Sequence, residues 1–170
     1  MSTIEHKSAA PKTINCKIIT VSDTRNSDTD KSGKLMIDLL EDAGHHIVDY
    51  CIVKDETFPI QTEILKACER DDIDVVLTNG GTGIAKRDVT IETVQELLDK
   101  EIVGFGEIFR MLSYQEDIGS AAILSRAIAG VVNDTAIFST PGSTGAVKLA
   151  MNKLILPEIG HVVREIKKDL

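Results

Sequence analysis

The chain has 170 residues and a formal net charge of −8, with 19 basic against 27 acidic residues. This length suits one domain with one core and is too short for two ordinary nucleotide-dependent domains. The excess of acidic residues argues against a nucleic-acid-binding surface. The sequence has no long apolar run, and residues 1–14 lack the features of a secretion signal. These two observations predict a cytoplasmic protein without a membrane partner.

Residues 1–14 are polar and contain Pro11, which predicts a flexible N-terminal arm before a single domain at residues 15–170. In the domain, β-type apolar runs alternate with helical spacing. The pattern predicts strands at residues 16–21, 47–53 and 74–78, separated by helices at residues 35–43 and 60–68 and followed by a helix at residues 91–98. This βαβαβ alternation is typical of a parallel sheet.

The second half of the chain predicts a change in the sheet. Helical patterns occur at residues 107–114, 121–129, 147–155 and 159–166, and Pro157 predicts a kink or restart between the last two. Val131–Val132 and Ala136–Phe138 flank the turn-forming pair Asn133–Asp134, which predicts a hairpin with one antiparallel strand at or near a sheet edge. The fold class is therefore α/β, with a mostly parallel, mixed central sheet.

Two loops carry the strongest chemical signal, Thr78–Gly83 and Ser139–Gly145. Each follows an apolar strand and precedes a helix, so backbone N–H groups, hydroxyls and a helix N-terminus are offered to an anion, as in phosphate sites. Simpler alternatives stay open, because glycines also serve only to turn a chain and Ser143 also serves only as a helix N-cap. Neither a P-loop nor a G-x-G-x-x-G motif occurs, which argues against a P-loop NTPase or a dinucleotide-dependent dehydrogenase.

Three aspartates lie near these loops or at strand ends. Asp88 follows the first glycine loop, where its charge repels phosphate unless a hard cation such as Mg²⁺ lies between them. Asp23 and Asp55 follow strands and are either turn residues or members of the same site. Because ligands bind outside the carboxyl ends of parallel strands, we expect these groups to gather along one rim.

Basic residues supply candidate charge partners for phosphate. Lys86 and Arg87 directly precede Asp88, and Arg126 lies among apolar residues. Arg126 either binds a phosphate with two donors or forms a structural ion pair. The sequence leaves both interpretations open.

Seven short motifs occur in order from residue 20 onward: TVSDTR (20–25), VKDE (53–56), TNGGTG (78–83), KRDVT (86–90), GFGE (104–107), LSR (124–126) and PGS (141–143). Together they resemble the MoaB/MogA family of molybdenum cofactor biosynthesis proteins, from about Cys16 to the C-terminus. Residues 109–114 and 141–144 are most similar to the MoaB branch. Asn79 stands where the family often has Thr, and Ile91 replaces a frequent proline, whereas Asp88 is retained.

The resemblance implies a three-layer α/β/α domain, a homotrimer or hexamer, molybdopterin as ligand, and other proteins of the pathway as partners. Active members transfer AMP from Mg-ATP to the molybdopterin phosphate; a non-catalytic molybdopterin-binding or scaffolding protein and a generic nucleotide-binding oligomer are the alternatives. Catalysis and Mg²⁺ binding are expected of Asp55 and Asp88. Ligand contacts are expected of Ser22, Asp23, Gly80, Gly81, Thr82, Gly83, Ser125, Arg126, Pro141, Gly142 and Ser143.

A short segment concentrates much of the chain's small aromatic content. Phe105, Phe109, Met111 and Tyr114 are candidate anchors of an oligomer interface, with burial inside the monomer as the alternative.

Overall fold

The structure is a computed structural model that describes residue 8 and residues 10–170. Residues 1–7 and 9, on which most of the predicted arm falls, lie outside the described residues. Ile14, the last residue assigned to that arm, is fully buried, and its N–H group donates to Nδ1 of His45 at 3.2 Å. The packed part of the chain therefore includes Ile14.

A mixed sheet of six strands forms the centre of the described chain. The strands are β1 (Asn15–Val21), β2 (His46–Val53), β3 (Val75–Asn79), β4 (Lys100–Glu101), β5 (Ile128–Val132) and β6 (Thr135–Thr140). They lie in the order β2-β1-β3-β6-β5-β4. Strands β2, β1, β3 and β6 are parallel, and β5 pairs antiparallel with β6 and β4. The predicted mixed sheet, with its hairpin near one edge, is confirmed.

The register of the parallel strands fixes where their ends lie. Thr20 pairs with Asn79, and Asn79 pairs with Thr140, so β1, β3 and β6 finish together. Strand β3 is buried along its whole length, as expected of a continuous apolar run covered on both faces. Loops that leave these three strands therefore share one edge of the sheet.

Helices cover both faces of the sheet. They are α1 (Lys31–Asp42), α2 (Thr57–Cys68), α3 (Thr90–Leu97), α4 (Val103–Glu116), α5 (Thr144–Ala150) and α6 (Leu156–Lys167). One apolar core lies between the sheet and α1, α4, α5 and α6, and a second lies between the sheet and α2 and α3. This is the expected three-layer α/β/α arrangement. Within the described chain, no helix is both long enough and apolar enough to cross a bilayer.

The helix predicted at residues 121–129 is wrong for most of its length. Gly119–Leu124 forms a short 3₁₀ turn, and the chain then enters β5. A short apolar run fits a helix or a strand equally well by periodicity, and here pairing with β6 decides. Strand β4 was also missed, because it consists of two exposed charged residues.

Pro157 interrupts the C-terminal helix as predicted. Helix α5 leads into a π-helical turn at Met151–Ile155, and α6 begins at Leu156 with the proline in its first turn. Proline has no N–H group and its ring crowds the preceding turn, so a widened turn accommodates it.

Two of the candidate interface aromatics belong to the monomer core. Phe109 is fully buried, and Phe105 packs edge to face on Phe138 with ring centroids 5.3 Å apart. The interface expectation is therefore wrong for these two residues, and the alternative of burial applies. Met111 and Tyr114 are exposed, so for them an interface stays a prediction.

Two glycines with positive φ differ in their surroundings. Gly44 has a φ of +85° where α1 ends, and a Cβ atom there would have no atom within 4 Å. Gly80 has a φ of +98° after β3, and a Cβ atom there would lie 2.2 Å from the carbonyl oxygen of Val21. Position 44 therefore requires only a residue that adopts a positive φ. Position 80 requires a positive φ and also the absence of a Cβ atom.

We expect Gly44→Ala to lower the free energy of unfolding by about 1–2 kcal/mol, the cost of a left-handed residue. Gly80→Ala should cost about 1–3 kcal/mol more, because the overlap adds to the same strain. Urea unfolding of both variants measures the difference. Equal losses would show that the loop yields to a methyl group.

Candidate functional site

A cleft of about 400 Å³ opens at the carboxyl ends of β1, β3 and β6. Predicted site residues from five separate segments line it: Ser22, Gly80, Gly81, Thr82, Gly83, Asp88, Ser125, Pro141 and Gly142. Four residues that were not predicted complete the lining: Val21, Thr24, Arg25 and Leu124. Asp23, Asp55, Arg126 and Ser143 lie outside the lining. The parallel pairing of the strands brings these distant segments together, as expected for an open α/β sheet.

The two glycine loops touch each other at the floor of the cleft. The N–H group of Gly80 donates to the carbonyl oxygen of Thr140 at 3.0 Å. A Cβ atom on Gly142 would lie 3.0 Å from the Cα atom of Gly80, so the backbones pack closely. The loops therefore form one continuous surface.

Arg126 forms hydrogen bonds with the first glycine loop from a position outside the cleft lining. Its Nε donates to the carbonyl oxygen of Thr82 at 3.0 Å, and Nη2 donates to that of Gly83 at 2.6 Å. The guanidinium also pairs with Glu92, whose pKa this hydrogen bond lowers. The geometry supports the ion-pair interpretation, and Arg126 positions the loop.

Arg25 holds the second loop and was missed as a site residue. Its Nη2 donates to the carbonyl oxygen of Gly142 at 2.9 Å, while Nη1 lies 3.6 Å from Oδ1 of Asp30. The side chain also lines the cleft. No local pattern indicates this role, because Gly142 lies 117 positions from Arg25 in the sequence.

A buried polar network anchors Arg25. Asp30, the N-cap of α1, is fully buried and accepts hydrogen bonds from the Gly33 N–H at 3.0 Å and the Tyr50 hydroxyl at 2.6 Å. Burial alone would raise the pKa of Asp30, but hydrogen bonds from Thr20, Tyr50 and Gly33, with the charge of Arg25, lower it. Asp30 therefore stays ionised as a fixed anchor.

Asn79 belongs to the same network. It is fully buried, donates to Oγ1 of Thr20 at 3.0 Å and accepts from Oγ of Ser32 at 2.8 Å. The departure from the family pattern at this position therefore places an amide between β1, β3 and α1. Asn79 does not line the cleft.

Two predicted serines shape turns. The hydroxyl oxygen of Ser22 accepts from the N–H groups of Thr24 and Arg25 at 3.2 and 3.1 Å. Ser143 is the N-cap of α5 and accepts from the Ala146 N–H at 3.2 Å. The capping interpretation of Ser143 holds, and an additional anion contact stays a prediction.

Asp23 is neutralised by Arg87 beside the cleft. Both oxygens of Asp23 accept from the guanidinium at 2.8 Å, and Oδ1 also accepts from the Asp55 N–H at 3.2 Å. The bonds from Arg87 lower the pKa of Asp23. Arg87 is therefore bound to a carboxylate, and Lys86 is exposed outside the lining.

Asp88 lies in the cleft and also closes a turn. Its Oδ2 accepts from the Ala85 N–H at 2.9 Å, and its own N–H donates to the Ala85 carbonyl at 2.9 Å. This bond uses one lone pair of one carboxylate oxygen. The turn interpretation and a position facing a ligand are thus compatible.

Asp55 is the candidate site residue with an unsatisfied carboxylate oxygen. Its Oδ1 is buried and has no hydrogen-bond partner among the described residues. Burial, followed by the charges of Asp23 and Asp88, raises the pKa of Asp55, and Arg87 offsets this in part. A carboxylate in this setting is stabilised either by binding a proton or by a nearby cation.

The donor set fits Mg²⁺ bound together with a substrate. In the described part of the chain, no three His, Cys, Asp or Glu residues cluster to hold a metal ion by themselves. Mg²⁺ typically binds through one or two carboxylates, with waters and substrate phosphates as its other ligands. Asp55 and Asp88 satisfy that requirement.

The chain is similar to known proteins over almost its whole length. A family described as a probable molybdopterin binding domain matches residues 17–161. Molybdenum cofactor biosynthesis protein B of Bacillus subtilis (strain 168) is 68% identical over 169 residues, covering 99% of each chain. A crystal structure of molybdenum cofactor biosynthesis protein B has a TM-score of 0.91 at 62% identity, covering 94% of this chain and 99% of the other. The tungsten cofactor synthesizing protein MoaB from Pyrococcus furiosus has a TM-score of 0.82 at 41% identity, covering 93% and 99%.

We expect Asp55→Asn to stabilise the fold at pH 7. Because the pKa of Asp55 is raised, its ionised form lowers stability at pH values above that pKa, and asparagine removes this cost. Solvent screening keeps the gain near the low end of about 0.5–2 kcal/mol. Urea unfolding should show the gain at pH 7 and its decline in acid, as the parent carboxyl binds its proton.

Asp72→Asn is the matched control. Arg70 lowers the pKa of Asp72, so this substitution removes a favourable interaction and should not stabilise. An Asp55→Asn variant no more stable than its parent at pH 7 would contradict the repulsion inferred at the site.

Proposed function

The chain belongs to the MoaB/MogA family of molybdenum cofactor biosynthesis proteins, and from that premise we propose that it binds molybdopterin and transfers AMP to it from Mg-ATP, releasing pyrophosphate. The observation that carries the proposal is the partner-free oxygen of Asp55 near Asp88, beside a cleft made from two glycine loops. A cytoplasmic location and contact with other proteins of the pathway belong to the same proposal.

The reaction joins two phosphates. An oxygen of the molybdopterin phosphate bonds to the α-phosphorus of ATP, and the bond to the β-phosphate oxygen breaks, so pyrophosphate leaves with the electron pair. Asp55 and Asp88 would hold Mg²⁺, which when bound offsets negative charge on the phosphates. This chemistry needs little covalent help from the protein and depends on positioning.

The chain's own residues supply that positioning. We expect backbone N–H groups of the two glycine loops to bind phosphate. The missing side chains of Gly80, Gly81 and Gly83 leave room for neighbouring atoms of the protein itself. Arg126 fixes the carbonyl groups of this loop, and Arg25 fixes that of Gly142, so neither loop has to be ordered by the ligand.

A second cavity adjoins the cleft and supports a reaction with two substrates. It measures about 560 Å³ and shares Ser22 and Arg25 with the cleft; Asp23 and residues 50–54 form part of its wall. Each cavity is within the usual size range of small-molecule sites. Two ligands bound on either side of Arg25 would meet at the end of β1.

We expect Asp88→Asn to bind molybdopterin but to transfer AMP roughly 10²-fold more slowly, as when one preorganised electrostatic group is lost. The amide oxygen still accepts from the Ala85 N–H, so the turn should survive. Single-turnover pyrophosphate release with molybdopterin and Mg-ATP, beside thermal unfolding, measures both effects. Asp72→Asn serves again as an acidic-to-amide control distant from the cleft.

Two results would count against the assignment. A folded Asp88→Asn variant with near-normal turnover would refute the role of Asp88. A parent protein that binds molybdopterin without turnover would establish the non-catalytic binding alternative.

We also propose a homotrimer or hexamer. Helix α4 and the turn after it expose a row of large apolar side chains: Ile108 at 45%, Met111 at 50%, Tyr114 at 61% and Ile118 at 45%. Grouped exposure of this kind is typical of an interaction surface. Two core residues beneath it, Phe105 and Phe109, keep the helix rigid.

Met111→Lys should therefore weaken the oligomer by placing a charge in its interface. Phe58→Lys is the control, because Phe58 is 79% exposed on α2 and outside the α4 row. Sedimentation at micromolar concentration should give at least a trimer for the parent and the control and a smaller species for Met111→Lys. A monomeric parent would overturn the oligomer proposal.

A further inference from the structure

Two buried oxygens near the cleft lack partners. Among the described residues, the buried side-chain nitrogen and oxygen atoms without a hydrogen bond are Oδ1 of Asp55 and Oγ1 of Thr90. They come from segments 35 positions apart in sequence. Each of the two oxygens nevertheless lies within 2.4 Å of the position that a Cβ atom on Gly81 would take. Both oxygens therefore pack against the Gly81 backbone, close to each other, and no hydrogen bond in the described part of the chain satisfies either one.

The hydroxyl of Thr90 is not used by its own helix. Thr90 is the first residue of α3 and is fully buried, but neither it nor Val89 makes a side-chain capping bond. The Thr90 N–H donates to the Gly81 carbonyl at 3.0 Å, which ties the helix start to the glycine loop. The hydroxyl is thus held in place without a structural bond of its own.

The charges around these two oxygens indicate which chemical class of ligand would bind them. A buried polar atom without a partner costs about 1–3 kcal/mol, so two neighbouring ones favour an occupant that bonds both. Asp55 only accepts hydrogen bonds, and the neighbouring carboxylates of Asp23 and Asp88 repel an anion. A carboxylate oxygen and a hydroxyl oxygen are both hard donors, which suit a divalent cation such as Mg²⁺.

We propose that Thr90 is a further ligand of the divalent cation, its hydroxyl oxygen and Oδ1 of Asp55 binding the ion together beside Gly81. This inference rests on the metal requirement of the proposed function. It extends the two-carboxylate site by a neutral ligand on the rigid start of α3. A hydroxyl and a carboxylate that share Mg²⁺ are a known combination in phosphate-binding sites.

The test uses Mn²⁺ as the probe, titrated into the purified parent and variants with and without ATP and followed by electron paramagnetic resonance. Thr90→Val keeps the shape and removes the hydroxyl, and Thr90→Ser keeps the hydroxyl. We expect the Mn²⁺ Kd to rise about tenfold or more in Thr90→Val, a loss typical of groups that support a metal site, and by less than about threefold in Thr90→Ser.

Thermal unfolding checks that the variants fold. Thr90→Val should be at least as stable as the parent, because an apolar group replaces an unsatisfied hydroxyl. Asp55→Asn, measured in parallel, should also weaken Mn²⁺ binding.

The outcomes separate this inference from the proposed function. If Thr90→Val binds Mn²⁺ as tightly as the parent while Asp55→Asn does not, Thr90 is no ligand and the carboxylate site stands. If the parent binds Mn²⁺ neither alone nor with ATP, the inference falls together with the metal part of the proposal. If Mn²⁺ binding depends on Thr90 but the parent transfers no AMP, the inference holds and the proposed activity fails.

Discussion

The close packing around Gly80 holds the candidate site together. The carbonyl oxygen of Val21 lies 2.2 Å from where a Cβ atom would be, and Gly142 packs closely against the Cα atom of Gly80. The loops after β1, β3 and β6 can therefore meet only because this residue has no side chain. Arg25 and Arg126 then hold the two glycine loops by their carbonyl oxygens, so the cleft is formed before a ligand arrives.

Charged side chains around the cleft form ion pairs with each other instead of a continuous basic surface. Arg87 is bound by Asp23, and Arg126 is bound by Glu92. Asp55 is the carboxylate whose buried oxygen has no partner in the described part of the chain. Under the proposed function, this oxygen would give an acidic protein a specific place for a cation, and the same cation would link the protein to its phosphate substrates.

Sequence periodicity predicted the parallel strands, the hairpin at Asn133–Asp134 and the interruption at Pro157, because each has a long apolar run or a distinctive turn residue. It failed at β4, which has no apolar residue, and at the turn before β5. The glycine loops were readable from local pattern. Arg25 was not, since its role depends on a carbonyl 117 positions away. The role proposed for Thr90 was not either, since it depends on a carboxylate in another loop.

Following the α-phosphorus of ATP shows whether the protein joins a nucleotide to the molybdopterin phosphate, as we propose. The parent protein would be incubated with Mg²⁺, molybdopterin and ATP radiolabelled at either the α- or the γ-phosphate, and the products would be separated by chromatography. We expect the α-label to move to the pterin and the γ-label to be released in pyrophosphate. A γ-label on the pterin, or a pterin that gains neither label, would contradict it.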